Sequence, residues 1–181
     1  MFAAMDGSSG VALGNSALEN LVGQYSTALG DEAGRYATGS YNTFVGKSAG
    51  EGGQTSAPYS SGEKNTAVGY QAGRLISSGS NNTLMGYQAG YSLGGTYYNV
   101  MIGDFAGAVS NTINNRHVYV GYNSGRYIDT GLANVAIGYN AMKSTSATNQ
   151  NASYNTAVGY VALESITDSD YNTAIGQAAG Q

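Results

Sequence analysis

The sequence predicts an all-β fold, a parallel β-solenoid in which each short repeat forms one rung of a stack. A nine-residue phrase, clearest in Asn65–Gly73 and Asn82–Gly90, returns ten times along the chain. Its residues alternate in character as strand residues do, and 28 of the 181 residues are glycine while one is proline. A fixed short period is typical of stacked repeats, and collagen is excluded because glycine does not recur at every third position. We therefore interpret residues 1–181 as a single repeat domain.

The repeat is aligned on one glycine, here called the central glycine, that all ten copies share. Seven of the nine spacings between central glycines are 16–18 residues, which gives the length of a rung. The two longer spacings are interpreted as loop insertions, Glu51–Lys64 and Lys143–Tyr154. The central glycines are Gly14, Gly30, Gly46, Gly69, Gly86, Gly103, Gly121, Gly138, Gly159 and Gly176.

Three residues before each central glycine form the predicted strand. The first is always Thr or Val and the third is always aliphatic, as in Thr66 and Val68, while the middle one is most often Ala, as in Ala67. Because strand residues alternate between faces, the first and third columns share a face and the middle column faces the opposite way. We expect the first and third columns to point into the solenoid, and both apolar faces to be buried, one of them against a partner surface.

After the central glycine the chain is predicted to turn and form a second short strand. Apolar residues recur there, and a polar turn then returns the chain to the next copy. A helix is disfavoured because each interior glycine costs a helix about 1 kcal/mol relative to alanine. The apolar residues of this segment are Leu75, Ile76, Leu93, Val109, Tyr127, Ile128 and Ile166.

Composition disfavours several classes of function. The net charge is −4 and the seven Lys and Arg residues are scattered, so neutralisation of nucleic-acid phosphates is not expected. The chain has no Cys, which excludes disulfides and cysteine-based metal sites. We expect neither a secretory signal at the start nor insertion into a membrane, because no basic segment followed by an apolar one occurs there and no apolar stretch is long enough to span a bilayer.

The columns resemble the head repeats of YadA-like trimeric autotransporter adhesins, most closely at Asn134–Gly138, which reads Asn-Val-Ala-Ile-Gly. The resemblance covers Gly10 to Gly180 and implies a left-handed β-roll that forms a homotrimer, with neighbouring chains covering the second apolar face. Copies that read Asn-Thr-Ala-Val-Gly-Tyr are also similar to repeats of phage tail fibres and other virion fibres. Because the sequence shows no signal peptide, heptad stalk or membrane anchor, a virion fibre is favoured over a bacterial adhesin.

The expected function is that of a non-enzymatic structural and adhesive segment of a virion surface fibre, a phage tail fibre or spike that mediates host attachment. Its expected partners are two further copies of itself, other fibre or capsid proteins, and a glycan or protein receptor on the host cell surface; no cofactor is expected. One alternative is the head of a trimeric autotransporter adhesin on the bacterial cell surface. Another is a tailspike that degrades polysaccharide, for which Asp168 and Asp170 are the nearest acidic pair, although turn chemistry explains them as well.

Candidate receptor contacts lie in the insertions and in the column after the central glycine. A tyrosine column suits sugar binding, but packing between rungs is the competing explanation, and a tolerated insertion is the competing explanation for the loops. The candidates are Gln54, Tyr59, Ser60, Asn149, Asn151, Tyr70, Tyr87, Tyr122, Tyr139 and Tyr160.

A column of asparagines precedes the strands and is predicted to form a ladder of side-chain amides. His117 replaces asparagine in one copy, where it is either a simple substitution or, with its symmetry mates at a threefold axis, an ion ligand. Ice binding is not expected, because the threonine column is predicted to point inward. The asparagines are Asn42, Asn65, Asn82, Asn99, Asn134, Asn155 and Asn172.

Overall fold

The computed structural model describes residues 9–53, 60–109, 116–145 and 151–180. Within these ranges the chain forms a β-solenoid of ten three-residue strands and contains no helix. All ten strands pair in parallel, in chain order, in one sheet. The strands are β1 (Val11–Leu13), β2 (Thr27–Leu29), β3 (Thr43–Val45), β4 (Thr66–Val68), β5 (Thr83–Met85), β6 (Val100–Ile102), β7 (Val118–Val120), β8 (Val135–Ile137), β9 (Thr156–Val158) and β10 (Thr173–Ile175).

Equivalent residues of successive copies lie directly above one another. In the pairing of β4 with β5, for example, Thr66 is opposite Thr83 and Val68 is opposite Met85. The same register holds across all nine strand pairs. Each column of the sequence is therefore a straight row that runs along the rod.

The prediction that the first and third strand columns point inward is wrong. In every strand the middle residue is buried while the residues on either side are exposed or half-buried. In β1, Ala12 is 8% exposed, whereas Val11 is 62% and Leu13 is 46% exposed. The middle column shares the interior with side chains of the returning turn, and its four larger residues occur where the turn supplies glycine.

The predicted second strand of each rung is also absent from the described residues. Only three isolated bridges occur outside the ten strands, joining Ala37 to Ser60, Ile76 to Gly94 and Ser92 to Val109. The physical reason is the backbone conformation after the central glycine. Residues two and four positions after it have φ values near +55°, as in Gln71 and Gly73 of the fourth copy, and a left-handed residue every second position cannot extend as a strand.

The central glycine is required for two reasons. At Gly69 the φ angle is +133°, and an added Cβ atom would lie 2.4 Å from the carbonyl oxygen of Gly86 in the next rung. The rungs therefore stack backbone on backbone at this corner, as the sequence predicts from an unvarying glycine.

The core is filled by side chains of complementary size. Where the middle strand residue is large, as at Tyr119, the residue four positions after the central glycine is glycine, and a Cβ atom on Gly125 would lie 2.4 Å from the Tyr119 ring. Where the middle residue is alanine, as at Ala136, that later residue can be large, and Met142 is fully buried there. The interior is therefore close-packed with large groups alternately supplied by the strand and by the turn.

Candidate interaction face

The outer surface of the sheet runs along the whole described rod without a covering layer, and we call it the sheet face. It consists of the first and third columns of the strands together with one border row on either side. The leading border, two positions before each strand, is Ser9, Tyr25, Tyr41, Lys64, Asn81, Tyr98, Arg116, Ala133, Tyr154 and Tyr171. The trailing border, directly after each central glycine, is Asn15, Asp31, Lys47, Tyr70, Tyr87, Asp104, Tyr122, Tyr139, Tyr160 and Gln177.

The sheet face is large and weakly charged. Six residues of near-extended chain make it about 20 Å wide, and ten rungs make it about 45 Å tall, so that it covers about 900 Å². Its aliphatic row is exposed in five rungs, for example Met85 at 46%, and half-buried in the other five. A continuous row of accessible aliphatic side chains bordered by tyrosines and polar residues is typical of an interaction site.

Tyrosines of the trailing border stack on one another, which confirms the prediction of packing between rungs. The ring centroids of Tyr70 and Tyr87 lie 5.2 Å apart with an interplanar angle of 16°. Tyr139 stacks on both Tyr122 and Tyr160, at 5.2 and 5.3 Å. Because these ring faces cover each other, a sugar ring cannot stack between them, and the ring edges and hydroxyls are the parts that a ligand can reach. The assignment of these tyrosines as receptor contacts stays a prediction.

The leading border was not among the candidates from the sequence, although a signal for it exists. Tyrosine occupies five of its ten positions, and two stacked pairs occur there, Tyr25 with Tyr41 at 5.4 Å and Tyr154 with Tyr171 at 5.1 Å. Tyr25 and Tyr171 have φ values of 57° and 59°. The left-handed conformation places the border at the corner that leads into the strand, which a simple alternation of faces does not reveal.

The loop candidates are distributed differently from the prediction. Gln54, Tyr59 and Asn149 lie outside the described residues. Ser60 is not on the surface: it is 5% exposed, and its Oγ accepts the Gly53 N–H and donates to a backbone carbonyl. Asn151 is exposed, and its backbone N–H donates to a carboxylate oxygen of Asp168 at 3.4 Å.

The acidic pair Asp168 and Asp170, in the polar turn of the next rung, contacts the second insertion. Asp170 Oδ1 accepts the Ser153 backbone N–H at 2.7 Å, as Asp168 accepts that of Asn151. Both carboxylates therefore stabilise a turn between neighbouring rungs, which is the structural explanation that the sequence offers for them. Among the residues that the structure describes, no group of three or more His, Cys, Asp or Glu is placed to hold a metal ion.

The asparagine ladder is confirmed in atomic detail. Asn65 Oδ1 accepts the backbone N–H and the side-chain amide of Asn82, both at 3.0 Å. The amide of Asn82 also donates to the Thr96 carbonyl at 2.9 Å. Each buried asparagine thus joins its own corner to the next rung, so that the column is structural rather than a ligand site.

His117 continues this ladder with different atoms. Its backbone N–H donates to Asn99 Oδ1 at 2.8 Å, and its Nδ1 accepts the Asn134 backbone N–H at 3.1 Å. Nδ1 therefore carries no proton in the neutral imidazole, and Nε2 carries it. The imidazole stacks on Tyr119 with centroids 4.7 Å apart, and burial lowers the pKa of His117 to about 3. A fully buried side chain cannot reach an axis between copies, so the ion-ligand alternative is wrong.

Charged side chains on the far side of the central glycine pair with each other from rung to rung. Arg74 Nε lies 2.7 Å from the Glu51 carboxylate, which is 1% exposed, and the Arg74 guanidinium donates to the Tyr91 hydroxyl at 3.0 Å. Hydrogen bonds to these two partners raise the pKa of Arg74. These contacts hold rungs together and leave the sheet face as the surface on which an interaction is expected.

No helix in the described ranges is long and apolar enough to cross a membrane. Comparison of this chain with protein-family models, with curated proteins and with solved structures finds no match. Its geometry is that of an all-β solenoid whose repeated strand presents β-branched and aliphatic side chains outward along its whole length.

Proposed function

We propose that this chain is the rod of a surface fibre in which several copies pack side by side through the sheet face. The observation that carries the proposal is the outward orientation of the β-branched and aliphatic columns in all ten strands. Burying such surface is favourable at roughly 25 cal/mol per Å² of apolar area. The rod then provides rigid length, and its uncovered sides provide the surface for attachment.

Three copies around one axis fit this face best. A standard stable interface buries about 800 Å² on each partner, which is comparable to the face as a whole. Three flat faces turned toward a common axis would enclose a space that their side chains can fill, because packed sheets lie about 10 Å apart. The homotrimer and the left-handed hand of the β-roll come from the resemblance to YadA-like heads and are part of the proposal.

The fibre is proposed to belong to a virion, as a tail fibre or spike that attaches to a glycan or protein receptor on the host surface. The similarity of the Asn-Thr-Ala-Val-Gly-Tyr copies, such as Asn65–Tyr70, to phage fibre repeats supports this choice. A head of a trimeric autotransporter adhesin on a bacterial surface is the alternative with the same architecture. A polysaccharide-degrading spike is the enzymatic alternative.

Sedimentation equilibrium of the purified chain tests the assembly. We expect the wild type to have the mass of three chains. A variant with charged residues in the aliphatic row, such as Val68→Glu with Met85→Glu, should lose this assembly. A stable monomer at high concentration would refute the proposal. Incubation of the protein with host surface polysaccharide separates binding from degradation, because only an enzyme releases fragments.

The outward threonines favour a second candidate function, the binding of ice. Thr66 and Thr83 belong to a straight outward row that is threonine in six rungs and valine in four, so the threonine column does not point inward as the sequence predicts. Such a surface must stay uncovered to act. A monomer that depresses the freezing point below the melting point would establish this function and exclude the fibre, whereas a trimer without that effect excludes ice binding.

A further inference from the structure

The two borders of the sheet face are complementary in sequence, rung by rung. Eight of the ten rungs carry tyrosine in one border and a different residue in the other. All five charged border residues follow this rule, since each has a tyrosine at the opposite border of its own rung. The pairs, leading residue first, are Tyr25 with Asp31, Tyr41 with Lys47, Lys64 with Tyr70, Tyr98 with Asp104, and Arg116 with Tyr122.

These pairs cannot form within one chain. The members of a pair are six residues apart across the strand, which separates them by about 20 Å of near-extended backbone. Both members are on the surface; Tyr98, for example, is 59% exposed and Tyr122 is 43% exposed. A contact between them therefore needs a second copy of the chain.

A cyclic arrangement of parallel rods brings the two borders together. When copies are related by rotation about an axis along the rod, the leading border of one copy meets the trailing border of the next, and equal rungs lie at equal height. A face-to-face pair related by a twofold axis perpendicular to the rods would instead be antiparallel and would bring each border against its own counterpart at distant rungs.

We propose that Tyr–charge pairs between the leading border of one copy and the trailing border of the next fix the register of a cyclic assembly. The proposal rests on the proposed function, because it identifies how the copies that form the fibre are aligned. The partner is a second copy of this chain, and the contact runs as a seam between neighbours from the second rung to the seventh.

Tyrosine suits this seam because its hydroxyl can pair with either sign of charge. It donates to a carboxylate such as that of Asp104, and its oxygen accepts from the cations of Lys64 or Arg116. Stacking within each row leaves the ring edges exposed for such contacts, as in Tyr70 on Tyr87. Within one chain Lys47 already pairs with Asp31 at 3.1 Å, and Asp104 Oδ1 accepts the Tyr87 backbone N–H at 3.0 Å. Tyrosine contacts at the seam therefore add to these bonds, and they supply a side-chain partner to Lys64 and Arg116.

Displaced registers satisfy fewer of these groups. A shift of one rung in one direction places Asp104 against Asn81 and removes its tyrosine. A shift in the other direction brings Arg116 against Asp104, a pair of opposite charges, but it also places Lys64 against Lys47, and neither lysine then has a tyrosine. Only the unshifted register gives every charged border residue a tyrosine.

Cysteine cross-linking tests this register cleanly because the chain has no native cysteine. The variant Tyr98→Cys with Asp104→Cys places one thiol on each border of the sixth rung, and Arg116→Cys with Tyr122→Cys does the same in the seventh. Under mild oxidation we expect each to close into a covalent ring of three chains on non-reducing gels. The control Tyr98→Cys with Tyr139→Cys displaces the thiols by two rungs, about 9.6 Å, which a disulfide cannot span.

The outcomes separate the register from the assembly itself. Covalent trimers from the same-rung variants and none from the displaced control support the proposal. Equal cross-linking of the control, or covalent dimers from Tyr98→Cys alone, would overturn the proposed register. If sedimentation still finds a trimer in that case, the proposal of a fibre is retained. A monomer in sedimentation overturns both. Circular dichroism and thermal melting of each reduced variant, compared with wild type, verify that the rod is folded.

Discussion

Replacement of His117 by asparagine should remove an acid-sensitive point from the middle of the rod. The neutral imidazole is fully buried and accepts the Asn134 N–H through Nδ1. Burial lowers the pKa of His117 from 6.5 to about 3. Since the folded state resists protonation and the unfolded state does not, stability is complete above about pH 6.5 and falls as the pH drops toward 3.

The size of the effect follows from that shift. Each unit of pKa difference corresponds to about 1.4 kcal/mol, so the loss in the wild type is about 3 kcal/mol by pH 4.5 and about 5 kcal/mol by pH 3. In His117→Asn this loss should be absent, because asparagine reproduces the ladder of the other rungs and does not titrate. At neutral pH the two proteins should be of similar stability, since the variant gains a satisfied amide and loses the stack on Tyr119, which is worth about 0.5–1.5 kcal/mol.

Urea unfolding followed by circular dichroism near pH 7.5 and near pH 4.5 measures the difference. Carboxylates such as Asp31, whose pKa is lowered chiefly by a hydrogen bond from Lys47, contribute equally to both proteins, so only the difference between wild type and variant reports His117. The same pH dependence in wild type and His117→Asn would refute the reasoning, because the imidazole would then be reached by solvent in the folded state.

Three further substitutions test the packing of the rod. Gly86→Ala should destabilise the rod far more than Gly176→Ala. Both glycines have a positive φ, which alone costs alanine about 1–3 kcal/mol, but only at Gly86 would the added Cβ atom lie 2.7 Å from the backbone of the next rung. Equal melting temperatures of the two variants would contradict this expectation. Arg74→Met should lower the free energy of unfolding in urea by about 3–5 kcal/mol, because it removes the cation that pairs with the buried Glu51 carboxylate. The double variant Arg74→Met with Glu51→Gln should recover most of this loss. If it does not, the ion pair is not the source of the stabilisation. Tyr139→Ala removes two ring stacks and should cost about 1–3 kcal/mol, whereas Tyr139→Phe keeps them and should melt like wild type; a large loss in the phenylalanine variant would point to the hydroxyl instead.

Much of the fold was readable from the sequence because stacking imposes strict local demands. The central glycine, for example Gly69, must be glycine since its Cβ would collide with the next rung, and this demand repeats at every central glycine from Gly14 to Gly159. The asparagine ladder was predictable for the same reason, because Asn65 and Asn82 perform one task at equivalent positions. Strand position and strand register followed from these two markers.

The orientation of the strand could not be read in the same way. Thr66 and Val68 are β-branched and Val68 is more apolar than Ala67, which favours placing them inside, yet Ala67 is the residue that is buried and its two neighbours remain half-buried on the outer surface. The interior width depends on the left-handed residues of the turn, such as Gln71, whose conformation is not encoded by an unusual residue type. For this reason the candidate interaction face was located by the structure and its leading border was missed by the sequence.

Rods made of near-identical repeats face a problem of slippage, because any copy could in principle pair with any other while the chain folds. The interior side chains differ in size from copy to copy, so each copy packs well only against its correct neighbours. Tyr119 is accommodated by Gly107 and Gly125, and one step further along the rod the corresponding turn holds Met142, which would collide with it. A stack mispaired by one copy would have too many large side chains at one level and a cavity at another. The interior residues that vary between copies therefore disfavour mispaired stacks, which the invariant glycines and asparagines alone would permit.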